Sequence, residues 1–298
     1  MKLTILMICV MCAVFAGCSG NGTDASKKLI VSIEPQRFML ERIAGPYWQV
    51  ESLLANGEDP ESFDPAMSSL KSLSDSRAYF KMGGIEFEDN LIERFGDRIN
   101  VIDCGSGINR IEGTHGHATH HDNHNCSGEH EHEYDPHTWT SLRTSKVIAR
   151  NMLDGMIRIA PEDSAVFRKN YDALISYLDS CDLVVADKLL PAKGSSFMVW
   201  HPSLSYFARD YGLNQISIGL DNKEMSVASF KHNVDMAKEK GAVIFLVQPN
   251  FDAGKSEDIA KEAGAASGRI NTLTYDMGAE LMRIADLISN AKQNDDNK

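Results

Sequence analysis

Short apolar runs rich in β-branched residues alternate along this chain with segments whose apolar positions recur every three to four residues. In the first half, the runs predict four strands and the periodic segments predict four helices. The strands are expected at 29–33, 49–54, 78–82 and 99–103, and the helices at 36–44, 67–74, 88–95 and 141–159. Strands that alternate with helices favour a parallel sheet covered on both faces.

The alternation restarts in the second half, with strands expected at 196–200, 215–218, 243–247 and 269–273 and helices at 201–211, 227–240, 256–263 and 278–289. Between the halves, apolar residues keep a helical spacing over 161–190, and no Gly or Pro interrupts the segment after Pro161. A helix of about 28 residues is about 42 Å long, which suits a rod between two domains.

The pattern therefore predicts an α/β fold of two lobes, each a four-stranded parallel-type sheet with flanking helices, joined by one long rigid helix. The predicted boundaries are 29–160 for the N-terminal lobe, 161–190 for the linking helix, 191–290 for the C-terminal lobe and 291–298 for a disordered tail.

The first residues have the pattern of a processing signal. Lys2 precedes an apolar run over 3–15 that is too short to span a bilayer, and Phe15-Ala16-Gly17-Cys18 follows. This pattern resembles a bacterial lipoprotein signal, which implies removal of residues 1–17, lipidation of Cys18 and a flexible tether over 18–28. An ordinary secretory signal peptide is the alternative.

The formal net charge is −12. This charge argues against nucleic acid and anionic membrane surfaces as partners and is compatible with attracting cations.

Seven of the ten histidines are concentrated in one polar segment, 113–133. Its Gly, Asn, Ser, Asp and Glu residues cannot bury a core, so a solvated loop is expected. Imidazole is a common ligand of zinc and its neighbours among the divalent metals, which makes the segment an auxiliary metal-binding loop. A neutral linker is the alternative. The loop histidines are His115, His117, His120, His121, His124, His130 and His132.

Four loops are expected at the carboxyl ends of strands, where open α/β sheets bind ligands. They contain residues 59–61, 135–137, 200–201 and 248–250. Glu61 and His137 each follow an Asp-Pro pair, in which Pro fixes the turn and Asp can orient the next residue. His201 follows an apolar strand. These three side chains form a candidate metal site.

The motifs together resemble the metal-binding receptors of bacterial ABC importers for zinc and manganese. The resemblance rests on the lipoprotein signal, the acidic His-rich loop, the long linking helix, and the segments 59–65, 135–139, 201–207 and 248–251. It implies that a metal lies between two lobes, with ligands from both. His137 and His201 match family ligands, and Glu61 stands where the family usually has His.

The fourth family ligand is an Asp late in the chain. Asn271 matches its position, and Asp276 or a water molecule is an alternative. The resemblance implies a monomeric extracytoplasmic receptor, lipid-anchored to a bacterial membrane, that captures Zn²⁺ and delivers it to an ABC permease without turnover. Mn²⁺ or Fe²⁺ is the alternative metal, since the carboxylate of Glu61 also suits manganese.

Two other functions are alternatives. A zinc metallohydrolase could use Glu and two His with an open position, but the sequence has no His-Glu-x-x-His motif. An adhesin lipoprotein would act in cell adhesion, but the chain has no adhesive repeat. A single stiff linking helix also leads us to expect little motion between the lobes.

Overall fold

The computed structural model describes residues 27–54, 60, 62–113, 134–219, 226–249 and 253–297. The N-terminal lobe has four strands and four helices. They are β1 (Lys28–Val31), α1 (Glu34–Ala44), β2 (Gln49–Ser52), α2 (Met67–Ser74), β3 (Ala78–Lys81), α3 (Glu86–Phe95), β4 (Val101–Asp103) and α4 (Leu142–Ile159).

The C-terminal lobe repeats this alternation after the linking helix α5 (Ser164–Leu189). Its elements are β5 (Ser196–Val199), α6 (Ser205–Tyr211), β6 (Asn214–Ser217), α7 (Val227–Glu239), β7 (Ala242–Val247), α8 (Ala253–Ala263), β8 (Ala266–Arg269) and α9 (Met277–Asp296). The prediction of two α/β lobes joined by one long helix is confirmed.

Both sheets are parallel and have the same strand order, β2-β1-β3-β4 in one lobe and β6-β5-β7-β8 in the other. The chain crosses to opposite sides of the first strand in each lobe, which creates a switch point at the carboxyl ends of the two central strands. The central strands are apolar and buried because helices cover both faces. Each switch point is therefore a place where polar groups can meet.

A serine at the same place in each sheet shows how closely the lobes repeat each other. The Ser52 hydroxyl donates to the carbonyls of Ser32 (3.3 Å) and Leu54 (3.0 Å). The Ser217 hydroxyl donates to the carbonyls of Trp200 (3.0 Å) and Gly219 (3.0 Å). The two lobes thus share strand order and a side-chain contact at the end of the second strand.

The linking helix α5 has 26 residues, which gives a length of about 39 Å. One face carries its buried side chains, which are Phe167, Leu174, Leu178, Cys181, Val185 and Leu189. This face packs against α1 and α4 of the N-terminal lobe and against α9 of the C-terminal lobe. One rigid element therefore supports both lobes.

Two predicted elements lie elsewhere or begin later in the structure. The strand expected at 269–273 is β8 at Ala266–Arg269, and a turn follows in which the Asn271 side-chain oxygen accepts the Leu273 amide at 3.0 Å. The helix expected at 201–211 begins only at Ser205. The side chains of Gln248 and Gln215 accept the backbone amides of His201 and Leu204, so side chains and not helical carbonyls bind these amides before the first turn of α6.

The predicted disordered tail is wrong over most of its length. Helix α9 continues to Asp296. Ala291 is buried against the core, and the Lys292 ammonium pairs with Asp296 one helical turn later at 2.5 Å. A buried small side chain and an i,i+4 ion pair both favour continuation of the helix.

The predicted signal peptide, Cys18, Glu61 and the seven loop histidines all lie outside the described residues. Within the described ranges, no helix is long and apolar enough to cross a membrane.

Candidate metal centre

His137 enters the centre from a short segment just before α4. Glu112 and Tyr134 form an isolated antiparallel bridge, and a 3-10 turn over Thr138–Thr140 follows His137. The Asp135 carboxylate accepts the His137 backbone amide at 2.9 Å and lies 2.8 Å from its Nδ1. With the Nδ1 proton held by Asp135, the Nε2 lone pair of His137 is available to a metal.

Asp135 is suited to this role because it stays ionised. Burial alone would raise the pKa of its carboxyl, but the hydrogen bonds and charge of His137 outweigh burial and lower that pKa. The Ser205 hydroxyl, from the other lobe, contributes to the lowered pKa in the same direction. A charged carboxylate behind an imidazole fixes the ring orientation and raises the basicity of the ligand nitrogen.

His201 lies directly beyond β5, at the switch point of the C-terminal lobe. Gln248 follows β7 and binds both backbone groups of His201: its Oε1 accepts the amide at 3.0 Å, and its Nε2 donates to the carbonyl at 3.1 Å. The Gln248 amide also donates to the Ser203 hydroxyl at 2.9 Å. These bonds hold the backbone of His201 outside helix α6.

The two imidazoles meet across the lobes. His137 Nε2 and His201 Nε2 are 2.9 Å apart, and the ring planes make an angle of 69°. Two nitrogen ligands of one tetrahedral zinc ion are about 3.3 Å apart, so a small separation of the rings would admit the ion. Trp139 lies beside the pair, with its ring centroid 5.1 Å from that of His137.

Asp276 and Asn271, which were expected to supply a further metal ligand, make hydrogen bonds within the fold. Asp276 is the N-cap of α9, where its carboxylate accepts the Ala279 amide at 3.1 Å and the Tyr177 hydroxyl at 2.6 Å. Asn271 lies in the turn after β8, and its backbone amide donates to the Glu280 carboxylate at 2.7 Å. Both residues therefore make bonds that shape the C-terminal lobe.

The described residues bring together two of the predicted ligands. Within those residues, no three His, Cys, Asp or Glu side chains are grouped so that they could hold a metal ion, so Asp276 does not join the histidine pair in such a group. The predicted ligand Glu61 lies outside the described residues, although Phe63 nearby packs edge-on against Phe87 at 5.0 Å. The third and fourth ligands stay predictions.

Two residues that sequence reasoning did not assign are placed at the centre. Gln248 holds the backbone of His201, and Tyr206 donates its hydroxyl to the Asp135 carbonyl at 2.7 Å. The signal for Gln248 was its place after β7, since the ends of neighbouring parallel strands lie together. Tyr206 gave no such signal, because its partner belongs to the other lobe.

Comparison with known proteins finds similarity along most of the chain. Residues 29–295 match the family model described as ZnuA, zinc-uptake complex component A periplasmic. The zinc-binding lipoprotein AdcA of Streptococcus pneumoniae R6 is 26% identical over 280 residues, which cover 92% of this chain and 56% of AdcA. This chain therefore spans little more than half the length of that relative.

Two solved structures share the fold. A crystal structure of ZnuA is 29% identical, with a TM-score of 0.78 over 90% of this chain and 99% of that one. The Mn²⁺ complex of FpvC from Pseudomonas aeruginosa is 18% identical, with a TM-score of 0.75 over 90% of this chain and 98% of that one. The match over nearly all of the chain shows that this protein belongs to the ZnuA family of periplasmic zinc-uptake components.

Proposed function

We propose that this chain is an extracytoplasmic receptor that captures a divalent transition metal, Zn²⁺ foremost, between its lobes and delivers it to an ABC permease. The observation that carries the proposal is the approach of His137 Nε2 and His201 Nε2 to 2.9 Å. Each nitrogen belongs to a different lobe, and each histidine is fixed from behind by a polar side chain. Glu61 would complete a two-histidine, one-carboxylate set of the kind that binds zinc.

The fourth position of the site remains to be assigned by experiment. We propose Asn271, Asp276 or a water molecule for it, with Asn271 favoured by its match to the family motif. The cap contacts of Asp276 with Tyr177 and Ala279 favour a structural role for that carboxylate.

Zinc is favoured over manganese by the chemistry of the donors. Neutral imidazole suits zinc, whereas manganese prefers sets dominated by oxygen. The fold itself does not choose between metals, because FpvC, described in its Mn²⁺ complex, has the same fold. We therefore propose Zn²⁺ as the principal cargo and Mn²⁺ as the competitor to test.

The proposal includes transport without turnover, a lipid anchor at Cys18 and an auxiliary role for the His-rich segment 113–133. AdcA, a relative over most of this chain, is described as a lipoprotein. Because imidazole ligands must be deprotonated, zinc affinity is expected to fall as the pH drops below the usual imidazole pKa of about 6.5.

The test is a competitive titration of the mature protein with Zn²⁺ and Mn²⁺, with and without residues 113–132. Tight binding of one zinc by the loopless protein, lost in His137→Ala, supports the proposal. His232→Ala is the matched control, because this exposed histidine lies on α7. Disappearance of tight binding with the loop would instead describe a metal buffer, and zinc-dependent ester hydrolysis lost in Glu61→Ala would indicate an enzyme.

A further inference from the structure

We propose that Tyr206 is a positioning residue of the metal site, which sets the place of Asp135, and through it of His137, relative to the lobe that carries His201. This inference rests on the proposed function. Tyr206 acts through the backbone of Asp135, and its side chain is fully buried.

The hydroxyl of Tyr206 bridges two backbone segments of the N-terminal lobe. The Asp135 amide donates to the Ile111 carbonyl at 2.9 Å, next to the bridge between Glu112 and Tyr134. The other two backbone groups of Ile111 and Asp135 are joined through the Tyr206 hydroxyl. The Ile111 amide donates to this hydroxyl at 3.2 Å, and the hydroxyl donates to the Asp135 carbonyl at 2.7 Å. The phenol therefore fixes the backbone two residues before His137.

Ser205, the neighbouring residue of the same helix, anchors the start of α6: its hydroxyl accepts the side-chain amide of Gln215 at 2.9 Å. Ser205 and Tyr206 are the first two residues of α6, only a few residues after His201. One short segment of the C-terminal lobe thus carries one ligand and holds the support of the other.

The chemistry of the phenol suits a permanent bridge. Burial raises the pKa of the Tyr206 hydroxyl, so it stays protonated and able to donate. The Arg209 guanidinium lies over the ring at 5.0 Å and holds the side chain from the solvent side. Without the hydroxyl, the Asp135 carbonyl loses its donor, and the segment would be free to shift His137 away from His201.

The experiment compares Tyr206→Phe with Tyr211→Phe in the full mature protein. Tyr211 is a matched control, because it lies on the same helix, is mostly buried and donates its hydroxyl to Asp182 at 2.7 Å. Zinc affinity is measured by competition with a chelator. The visible absorption of bound Co²⁺ is recorded as well, since it reports the geometry of the ligands.

We expect Tyr206→Phe to weaken zinc binding tenfold to a hundredfold, as loss of a supporting group around a metal ligand typically does. It should also change the Co²⁺ spectrum, while Tyr211→Phe keeps the wild-type affinity and spectrum. Wild-type behaviour of Tyr206→Phe, or equal losses in the two variants, would overturn the inference.

Circular dichroism shows whether Tyr206→Phe folds. If it melts below the assay temperature, zinc binding by both variants is measured at a lower temperature, where both are folded. Weaker zinc binding by folded Tyr206→Phe than by Tyr211→Phe supports the inference, and equal binding contradicts it. Failure of the wild-type protein to bind zinc tightly would overturn the proposed function and this inference with it.

Discussion

The switch points of the two lobes are built on the same backbone but hold different side chains. In the N-terminal lobe, between the ends of β1 and β3, the fully buried Glu88 carboxylate accepts the amides of Met82 and Gly83, each at 2.7 Å, and the Ser32 hydroxyl. In the C-terminal lobe, between β5 and β7, the Gln248 side chain binds the backbone of His201.

The pairing of the strands gives the equivalent positions. Val31 pairs with Ser52 and Phe80, and Val199 pairs with Ser217 and Leu246. Counting two residues on from Val31 and Val199, and likewise from Phe80 and Leu246, gives the equivalent pairs Ile33 and His201, and Met82 and Gln248.

The difference shows how the same strand order can give two different sets of side chains at the switch point. A buried carboxylate fills the N-terminal crevice, so Ile33 can turn into the core. An amide side chain accepts the backbone amide at the equivalent position in each lobe, Gln36 at Ile33 (3.3 Å) and Gln248 at His201 (3.0 Å), but in the C-terminal lobe the side chain at that position is a candidate ligand. The N-terminal lobe supplies its own candidate ligand, His137, from a segment that follows β4 in the chain, and the two histidines face each other.

The largest effect expected from breaking this asymmetry is that of His201→Ala. A structural zinc site contributes about 10–16 kcal/mol over about four ligands, so losing one should weaken zinc binding roughly a hundredfold to a thousandfold. Chelator competition measures the change. Ile33→Val at the equivalent position is the control, expected to cost about 1 kcal/mol of folding stability and to leave zinc affinity unchanged. Tight binding by His201→Ala would remove His201 from the site.

Glu88→Ala tests the other switch point. It leaves two amides and a hydroxyl without their acceptor, so we expect a loss of about 2–5 kcal/mol in the free energy of unfolding. Zinc affinity per folded molecule should change less than threefold. The control is Glu86→Ala, an exposed residue of the same helix. Urea unfolding measures both variants, and equal stabilities would contradict the role given to Glu88.

The difference in unfolding free energy between wild type and Glu88→Ala should depend on pH in one direction. Burial raises the pKa of Glu88 above 4.5. A raised pKa in the folded state contributes stability that is fully present below the ordinary value and is lost as the pH rises through the raised one. The stability gap between wild type and Glu88→Ala should therefore be wider at pH 4.5 than at pH 7.5.

Gln248→Met introduces into the C-terminal lobe the residue type that the N-terminal lobe has at the equivalent position, Met82. The His201 amide and carbonyl lose their partners, and zinc affinity should fall about tenfold. Gln248→Glu keeps an acceptor for the amide but loses the donor to the carbonyl, so an intermediate loss is expected. Unchanged affinity of Gln248→Met in a chelator competition would show that the backbone of His201 needs no such support.

The smallest expected effect is on stability, and it tests whether the equivalent serine contacts of the two lobes contribute equally. Ser52→Ala and Ser217→Ala each remove a hydroxyl that donates to two carbonyls in the same arrangement. Each change should lower the free energy of unfolding by about 1 kcal/mol, measured by urea unfolding. Clearly unequal losses would mean that the resemblance of the two contacts does not extend to their energies.

Much of the fold follows from the sequence because buried parallel strands have a simple pattern. The six residues of β7 are all apolar and buried, and β1 and β5 are similar. Strand β8 reads Ala-Ser-Gly-Arg and has no apolar run. Gly268 lies close against Leu287 of α9, so packing that is distant in sequence defines this strand.

The candidate site shows the same limit. His137 and His201 were predictable because each follows a local signal, an Asp-Pro pair or the end of an apolar strand. Their supports come from far along the chain, since Gln248 is 47 residues from His201 and Tyr206 is 71 residues from Asp135. Local patterns do not specify such pairings. The first depends on the pairing of β5 with β7 within one sheet, and the second depends on how the two lobes meet.

Trp139 gives the site an optical reporter. Its ring is buried beside His137, and its Nε1 donates to the Thr272 carbonyl of the other lobe at 2.7 Å. Zn²⁺, with its filled d shell, should leave the Trp139 fluorescence unchanged, whereas a paramagnetic ion such as Mn²⁺ should quench it. Unlabelled protein could then distinguish its cargoes by fluorescence alone.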